Sequence, residues 1–392
     1  MGPLHSLKVL DFTTLLPGPY ATMGLADMGA DVLRIVSGSR PDLAAFAPPF
    51  IPGTDISFAT ACLGRGKRCM TLNLKDLRAI DIIHRLLVRY DILVEQFRPG
   101  VMEKLGLGYT DLREVNPALI YCSLTGYGQT GPHRDRVGHD INYLARSGIM
   151  AYSGKKESGP GLMGMQIADV ASGSNNTVIG ILAAVISRNE TGRGQQIDVS
   201  MADGVIAFNA LAGNAYLVDG NEPDREGFLL NGGSLYDFYE TKDGGYLSLG
   251  ALEPQFFAAF CEGIGRPDLA GGGVFPENVG EVKGQIREII LTKTRDEWVE
   301  VFEGADACIE PVLTLSEALD NEQARERSLI VEVDLPGGGT VRQIAHPVAF
   351  SETPQEYRGA GVPAGAHTRE VMRELGYTDD EIEGFKQGGL FS

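Results

Sequence analysis

Short β-branched runs alternate with helix-length segments through the first 125 residues, and this alternation restricts the fold more than any other feature. KVLDF (8–12) precedes PYATMGLADMGA (19–30), where Pro19 suits the first turn of a helix, and DVLRIV (31–36) follows. After a proline-rich loop over 41–53 come CMTLNL (69–74), a helix from Asp76 to Arg89, DILVEQF (91–97) and ALIYCSL (118–124). Strands separated by helices of this length need parallel crossovers, so the expected fold class is α/β with a doubly wound sheet.

At 392 residues the chain is long enough for two folding units. The pattern changes between about 220 and 330. There GGYLSLGA (244–251) reads as a strand, followed by helices near 253–264, 280–292 and 295–303, and ACIEPVLTL (307–315) reads as another strand. The division expected is a large domain over 1–220, a smaller α+β domain over 221–330, and a C-terminal segment, 331–392, that returns to the large domain. REVMRELG and DDEIEGFKQGG in that tail are amphipathic and need a partner surface.

Charge and cysteine content narrow the function. With 52 Asp and Glu against 34 Lys and Arg, the net charge is -18. Such a chain lacks the basic face that displaces counterions from nucleic acid, although a local basic pocket still accommodates an anionic ligand. The five cysteines are scattered, with no C-x-x-C pair and no zinc-like cluster, which fits reduced thiols in a cytoplasmic protein. MGPLHSLKVLDF has no signal-peptide pattern, and apolar runs such as VIGILAAVI (178–186) are too short to span a bilayer, so no membrane role is expected.

Individual motifs are ambiguous. GYGQTG (126–131) matches the dinucleotide fingerprint literally, but several strands precede it and Pro132 follows in place of an apolar helix. Its glycines fit a tight turn or a close backbone approach instead. LGRGKR (63–68) gathers Arg65, Lys67 and Arg68, either as a phosphate site or as a solvated turn. Arg98, in QFRPG, stands at a strand end, where open α/β sheets bind ligands. Asp169, in MQIADVAS, reads as a helix N-cap or as a poised nucleophile or base, and Glu253, in GALEPQFF, has the same two readings. His139, in GHDINY, is either a helix-opening polar residue or a proton carrier.

In combination these blocks resemble the class III CoA-transferase family, nearly end to end, and its racemase branch most closely. The resemblance is carried by LLPGPYATMGLADMGADVLRI (15–35), LGRGKR, FRPGVMEKLGLG (97–108), LIYCSLTGYGQTGP (119–132), GHDINYLARSG (138–148), ILAAVISRNETGRGQQIDVSMADG (181–204), LNGGSLYDFYETKDGGYLSLGALEPQF (230–256), DACIEPVL (306–313) and HTREVMRELGYTDDEI (367–382). It implies a Rossmann-like large domain, a small domain, and an intertwined homodimer with active sites between one chain's large domain and its partner's small domain.

The resemblance also implies two chemistries. Transferases of the family use an aspartate, here Asp169, to attack an acyl-CoA thioester and form acyl anhydrides. The racemases use that aspartate as a base, with a histidine in a GHDINY block and a glutamate in an EPQF block, which His139 and Glu253 match. One departure stands out: DVASGSNN follows the transferase pattern of small polar residues, where racemases often have glycines. The loop SGSRPDLAAFAPPFIPGTDIS (37–57) is also longer than its counterpart in animal racemases.

The implied substrate is a 2-methylacyl-CoA thioester, epimerised at its alpha carbon through an enolate without metal or organic cofactor. Two groups must flank that carbon, one protonated and one not. Histidine serves in either form near neutrality, and a carboxyl does so only where apolar surroundings raise its pKa, as Met163, Met165 and Ile167 would for Asp169. Backbone N–H groups near Asp169 are the expected donors to the enolate oxygen. Arg65, Lys67, Arg68 and Arg98 are expected to meet the phosphates or adenosine of CoA. Leu16, Pro17 and Gly18 would line its pantetheine, and Gly138 and Tyr143 complete the expected contacts.

Overall fold

The protein is described by a computed structural model covering residues 1–38 and 41–391. Ser39 and Arg40, in the long loop over 37–57, lie outside the described residues. The chain forms two compact units. Unit one comprises Met1–Leu144, Gly164–Phe208 and Gln323–Ser392, and unit two comprises Ala145–Met163 and Asn209–Glu322.

Unit one is built on a six-stranded parallel sheet. Its strands are β1 (Lys8–Phe12), β2 (Asp31–Val36), β3 (Lys67–Thr71), β4 (Ile92–Glu95), β5 (Ile120–Thr125) and β6 (Gln196–Ser200), in the order β3-β2-β1-β4-β5-β6. Val9 pairs with Val32 on one side and Ile92 on the other, so the winding reverses between β1 and β4. In open sheets of this order the ligand crevice opens at that reversal, beyond the strands' carboxyl ends. Here the N–H of Gly18 donates to Oε1 of Gln96 at 3.0 Å, tying the start of α1 (Pro17–Asp27) to the segment after β4. A Cβ at Gly18 would stand 2.3 Å from Cβ of Thr13, so only glycine permits this approach.

β1 and β2 coincide with the expected runs, and the helix expected from Asp76 spans Leu77–Leu87 with Asp76 as its N-cap. β6 goes beyond the sequence reading: QIDVS alternates polar and apolar residues, and its first residues remain partly exposed at the sheet edge.

On one side of the sheet Leu10, Leu33, Met70 and Leu93 pack with Ile82, Ile83 and Leu86. Val371, Met372, Ile382 and Leu390 from the C-terminal tail enter the same core, which is the surface that the amphipathic tail helices require. The N–H of His367 donates to the carbonyl of Cys69 at 2.9 Å and fastens the tail to β3.

Unit two centres on an antiparallel sheet of β7 (Asp237–Glu240), β8 (Tyr246–Leu249) and β9 (Ile309–Pro311). Its core gathers Leu247, Leu249, Phe257, Phe260, Ile286, Ile290 and Trp298 around that sheet. Segment 145–163, expected in the large domain, is part of this unit. Its anchors are polar: Lys155 pairs with Asp237 at 3.0 Å, Arg225 donates to the carbonyls of Ser153 and Met150, and Asn231 donates to that of Tyr152.

Candidate active site

The chain enters the site through an unusually wide turn. Ile167–Ser174 is π-helical and runs directly into the α-helix Asn175–Thr191, which ends on Gly192 in the left-handed conformation. By length and composition this continuous helix could cross a bilayer, but it packs against α1 and β5. π-turns are rare and recur at functional sites.

Small residues make the turn possible. Ser172 Oγ donates to the carbonyl of Met201 at 2.7 Å, and Ser174 Oγ to that of Pro17 at 2.6 Å. A Cβ at Gly173 would stand 2.9 Å from Cγ of Met201, and one at Gly204 only 2.0 Å from Oγ of Ser172. The departure noted in DVASGSNN therefore has a structural use, since its serines bind the turn to α1 and to the helix Met201–Ala207.

Asp169 lies within this turn and does not cap it. The residue at the N-cap position, Gln166, makes no side-chain cap either. The cap comes from another element: Oδ1 of Asp140, the first residue of the helix Asp140–Arg146, accepts the N–H of Ala168 at 2.6 Å and that of Asp169 at 3.0 Å. The N–H of Val170 donates to the carbonyl of Gln166. The backbone donors next to Asp169 are thus already engaged, which corrects the expectation that they serve an enolate oxygen. The N–H groups of Asp140 and Ile141 have no acceptor among the described residues, as first-turn donors of a helix generally do not.

Burial pushes the Asp169 carboxyl up to about 6, with the neighbouring Asp140 carboxylate adding to the rise and His139 opposing it. His139 immediately precedes the Asp140–Arg146 helix. Its N–H donates to Oδ1 of Asn142 at 3.0 Å and its carbonyl accepts from the N–H of Asn142 at 2.8 Å. The residue is exposed, and its imidazole makes no hydrogen bond among the described residues. His139 therefore opens the helix with its backbone and leaves its ring free for chemistry.

Tyr143 walls the site. It is 5 % exposed, its hydroxyl donates to the carbonyl of Gly138 at 2.6 Å, and burial followed by the charge of Asp169 pushes its phenol up to about 12. Tyr127 meets it edge-on at 5.2 Å. A Cβ at Gly126 would lie 2.6 Å from the Tyr143 ring and one at Gly138 2.8 Å, so both glycines make room for this side chain. That accounts for the first glycine of GYGQTG. Gly128 and Gly131 adopt φ of 80° and 83° in the turn beyond β5. Met165, by contrast, is 51 % exposed, whereas Ala168, Tyr143 and Ser174 are buried beside Asp169.

The expected CoA contacts divide into two groups. Leu16, Pro17, Gly18 and Arg98 flank the reversal between β1 and β4, and Arg98 is exposed with no side-chain partner among the described residues. Arg65, Lys67 and Arg68 stand at the start of β3 and are engaged within the protein, which corrects their assignment to phosphate. Arg65 is fully buried, pairs with Asp27 through Nε and Nη2, and gives Nη1 to Oε1 of Gln343 and the carbonyl of Ile344. The ammonium of Lys67 donates to Asp11 at 3.2 Å, Thr22 at 2.6 Å and the carbonyl of Pro19 at 2.9 Å. An ammonium has three protons, and all three are used. Arg68 meets Glu370, Glu374 and Tyr90 and holds the C-terminal tail.

Glu253 belongs to unit two. It occupies the N-cap position of the helix Pro254–Gly263 but makes no cap hydrogen bond, so its exposed carboxylate is available. Sequence reasoning did not single out Glu95, which ends β4 at 4 % exposure with Oε2 accepting the N–H of Phe97 at 2.8 Å. The signal was present: a carboxylate directly following the apolar Ile92–Val94 at a strand end. Among the described residues no cluster of His, Cys, Asp and Glu has the make-up of a metal site.

Comparison with known proteins agrees with this architecture. A family profile described as CoA-transferase family III matches residues 4–368. The chain is 34% identical over 389 residues to alpha-methylacyl-CoA racemase of Homo sapiens, covering 97% of this chain and 95% of that protein. It is 31% identical over 391 residues to succinyl-CoA:glutarate CoA-transferase of Mus musculus, covering 98% and 89%. Among solved structures, a CAIB/BAIF family protein from Brucella suis superimposes with a TM-score of 0.83 at 28% identity, covering 95% of this chain and 99% of the other. The chain belongs to CoA-transferase family III.

Proposed function

We propose that this enzyme epimerises 2-methylacyl-CoA thioesters at the alpha carbon, with His139 and Asp169 as the two proton-transfer groups. The observation that carries the reading is a carboxyl raised to about 6 beside an exposed imidazole that makes no hydrogen bond among the described residues. A carboxyl raised to about 6 can give up or take up a proton near neutrality, so it can serve as acid or as base as the substrate is turned over in either direction. Of His139 and Asp169, one removes the alpha proton as the other, protonated, delivers a proton to the opposite face. The electron pair passes through the enolate and returns to the same carbon, so no net acid or base is consumed.

Acid–base help of this kind is typically worth about 10²–10⁴-fold, which leaves the enolate oxygen in need of fixed donors. The N–H groups of Asp140 and Ile141, which have no acceptor among the described residues, are suited to that task. Arg98 with Leu16, Pro17 and Gly18 is the proposed CoA-binding edge, and Gly138 and Tyr143 are proposed to border the thioester. Glu253 is proposed to orient His139 within an intertwined homodimer, in which it is supplied by the partner chain. Support for self-association comes from large apolar side chains left in solvent on unit one, Ile179 at 62 % and Ile186 at 64 % exposure.

A second reading is CoA transfer between carboxylic acids through an Asp169 acyl anhydride. It is supported by the comparable identity to transferases and by the small polar residues after Asp169. One experiment separates the two. A single epimer of 2-methylacyl-CoA incubated with enzyme in D₂O should acquire deuterium at the alpha carbon and lose optical purity. Absence of exchange with every branched thioester tried, together with hydroxylamine inactivation that requires acyl-CoA, would replace racemisation by transfer.

A further inference from the structure

We infer that Asp140 is the positioning residue of this site. Its carboxylate holds the second and third N–H groups of the π-turn, those of Ala168 and Asp169, from the element that also presents His139, and so fixes where Asp169 stands relative to the imidazole. The inference rests on the reading of His139 and Asp169 as the reacting pair.

A helix that begins at Ile167 exposes its first N–H groups, and these need acceptors. The local N-cap position supplies none, because Gln166 makes no side-chain cap bond. Oδ1 of Asp140 supplies one for Ala168 and for Asp169, at 2.6 Å and 3.0 Å, from 28 and 29 residues away in sequence. Hydrogen bonds to an ionised acceptor are roughly twice as strong as neutral ones, so this latch is the strongest fastening at the head of the turn.

The same carboxylate is covalently next to His139, whose own N–H and carbonyl are held by Asn142. One rigid corner, His139–Tyr143, therefore grips the turn carrying Asp169 and sets the spacing of the pair. Position errors of about 1 Å in a reacting constellation cost on the order of 10²-fold in rate.

The charged and titratable groups that face Asp169 are His139, Asp140 and Tyr143. The helices packed against the turn, α1, Asn175–Thr191 and Met201–Ala207, add no charge to that set. Asp140 thus has two separable effects, a geometric one through Oδ1 and an electrostatic one through its negative charge. Asparagine at this position keeps an accepting Oδ1 and removes the charge, whereas alanine removes both.

The test compares Asp140→Asn and Asp140→Ala in the full chain with three readouts. Backbone hydrogen exchange at Ala168 and Asp169 should accelerate at least about tenfold in Asp140→Ala, the scale of one lost hydrogen bond of about 1.4 kcal/mol, and should stay near the parent rate in Asp140→Asn. The ¹³C carboxyl titration of Asp169 should move to lower pH in Asp140→Asn. Alpha-proton exchange should fall about 10–100-fold in kcat with little change in KM in Asp140→Ala, with asparagine restoring much of it.

Unchanged amide exchange in Asp140→Ala, or an Asp169 titration unmoved by Asp140→Asn, would overturn the inference. If Asp140→Ala does not fold, the Asp140→Asn titration alone decides. If the parent enzyme exchanges no alpha proton, the functional reading fails, and the amide and carboxyl measurements still decide this one.

Discussion

Arg65 and Asp27 form a two-pronged ion pair inside unit one, with Nε to Oδ1 at 2.9 Å and Nη2 to Oδ2 at 2.7 Å. Both side chains are essentially inaccessible to water, and the Tyr357 ring lies 5.1 Å from the guanidinium. Removing one partner of such a pair leaves an uncompensated buried charge, which typically costs 3–5 kcal/mol. Arg65→Ala should therefore lower unfolding stability by about 3–5 kcal/mol in urea titration, with little change in thioester KM among folded molecules. A stable variant with a raised KM would return Arg65 to the CoA site.

Arg98 is the counterpart. It is exposed, it has no side-chain partner among the described residues, and it follows β4 at the reversal of sheet winding. Charge-assisted hydrogen bonds to phosphate contribute about 1.5–3 kcal/mol, so Arg98→Ala should raise the KM for CoA thioesters about 10–100-fold. Its melting temperature should match the parent, because no internal contact is lost. An unchanged KM would remove Arg98 from the proposed CoA-binding edge.

These two arginines show why some functions were legible and others were not. β1, β2 and the Leu77–Leu87 helix follow from local patterning, because their side chains face one continuous core. Arg65 and Lys67 looked like a phosphate site because basic residues beside glycines carry the same signature in either role. What distinguishes the roles is the acceptor set, namely Asp27, Gln343, Asp11 and Thr22, and these arrive from remote parts of the chain. Asp140 was obscured in the same way: its partners are the backbone N–H groups of Ala168 and Asp169, and backbone groups leave no mark on a sequence.

Tyr143 offers a test of how the walls of the site control its acid. Its ring occupies the space where a Cβ on Gly126 would fall, 2.6 Å from Cε1. Gly126→Ala must displace the ring, since backbone at the end of β5 is held in the sheet through Thr125 and Ser200. Water would then reach Asp169, and the carboxyl would fall from about 6 toward the ordinary aspartate range. The expected outcome is a ¹³C titration at lower pH and a drop of about tenfold or more in alpha-proton exchange at pH 7. Retention of the parent titration would mean that Tyr143 is not what keeps Asp169 dry.

Glu95 predicts how stability depends on pH. Burial pushes its carboxyl up to about 7 from an ordinary value of 4.5, against the lowering effect of hydrogen bonds from Ser123 and the N–H of Phe97. A raised folded-state value means that the folded protein binds the proton more tightly than the unfolded chain does. The resulting stability is complete below about pH 4.5, declines as pH rises from there through about 7, and is gone above. Glutamine keeps an oxygen for the N–H of Phe97 and cannot ionise. Glu95→Gln should therefore match the parent near pH 4.5 and exceed it increasingly up to pH 7, levelling off at about 3 kcal/mol or less. Urea unfolding at half-unit steps from pH 4.5 to 8 measures this directly. A glutamine variant that is less stable at pH 8 than the parent would mean that Glu95 is ionised and paired in the folded state.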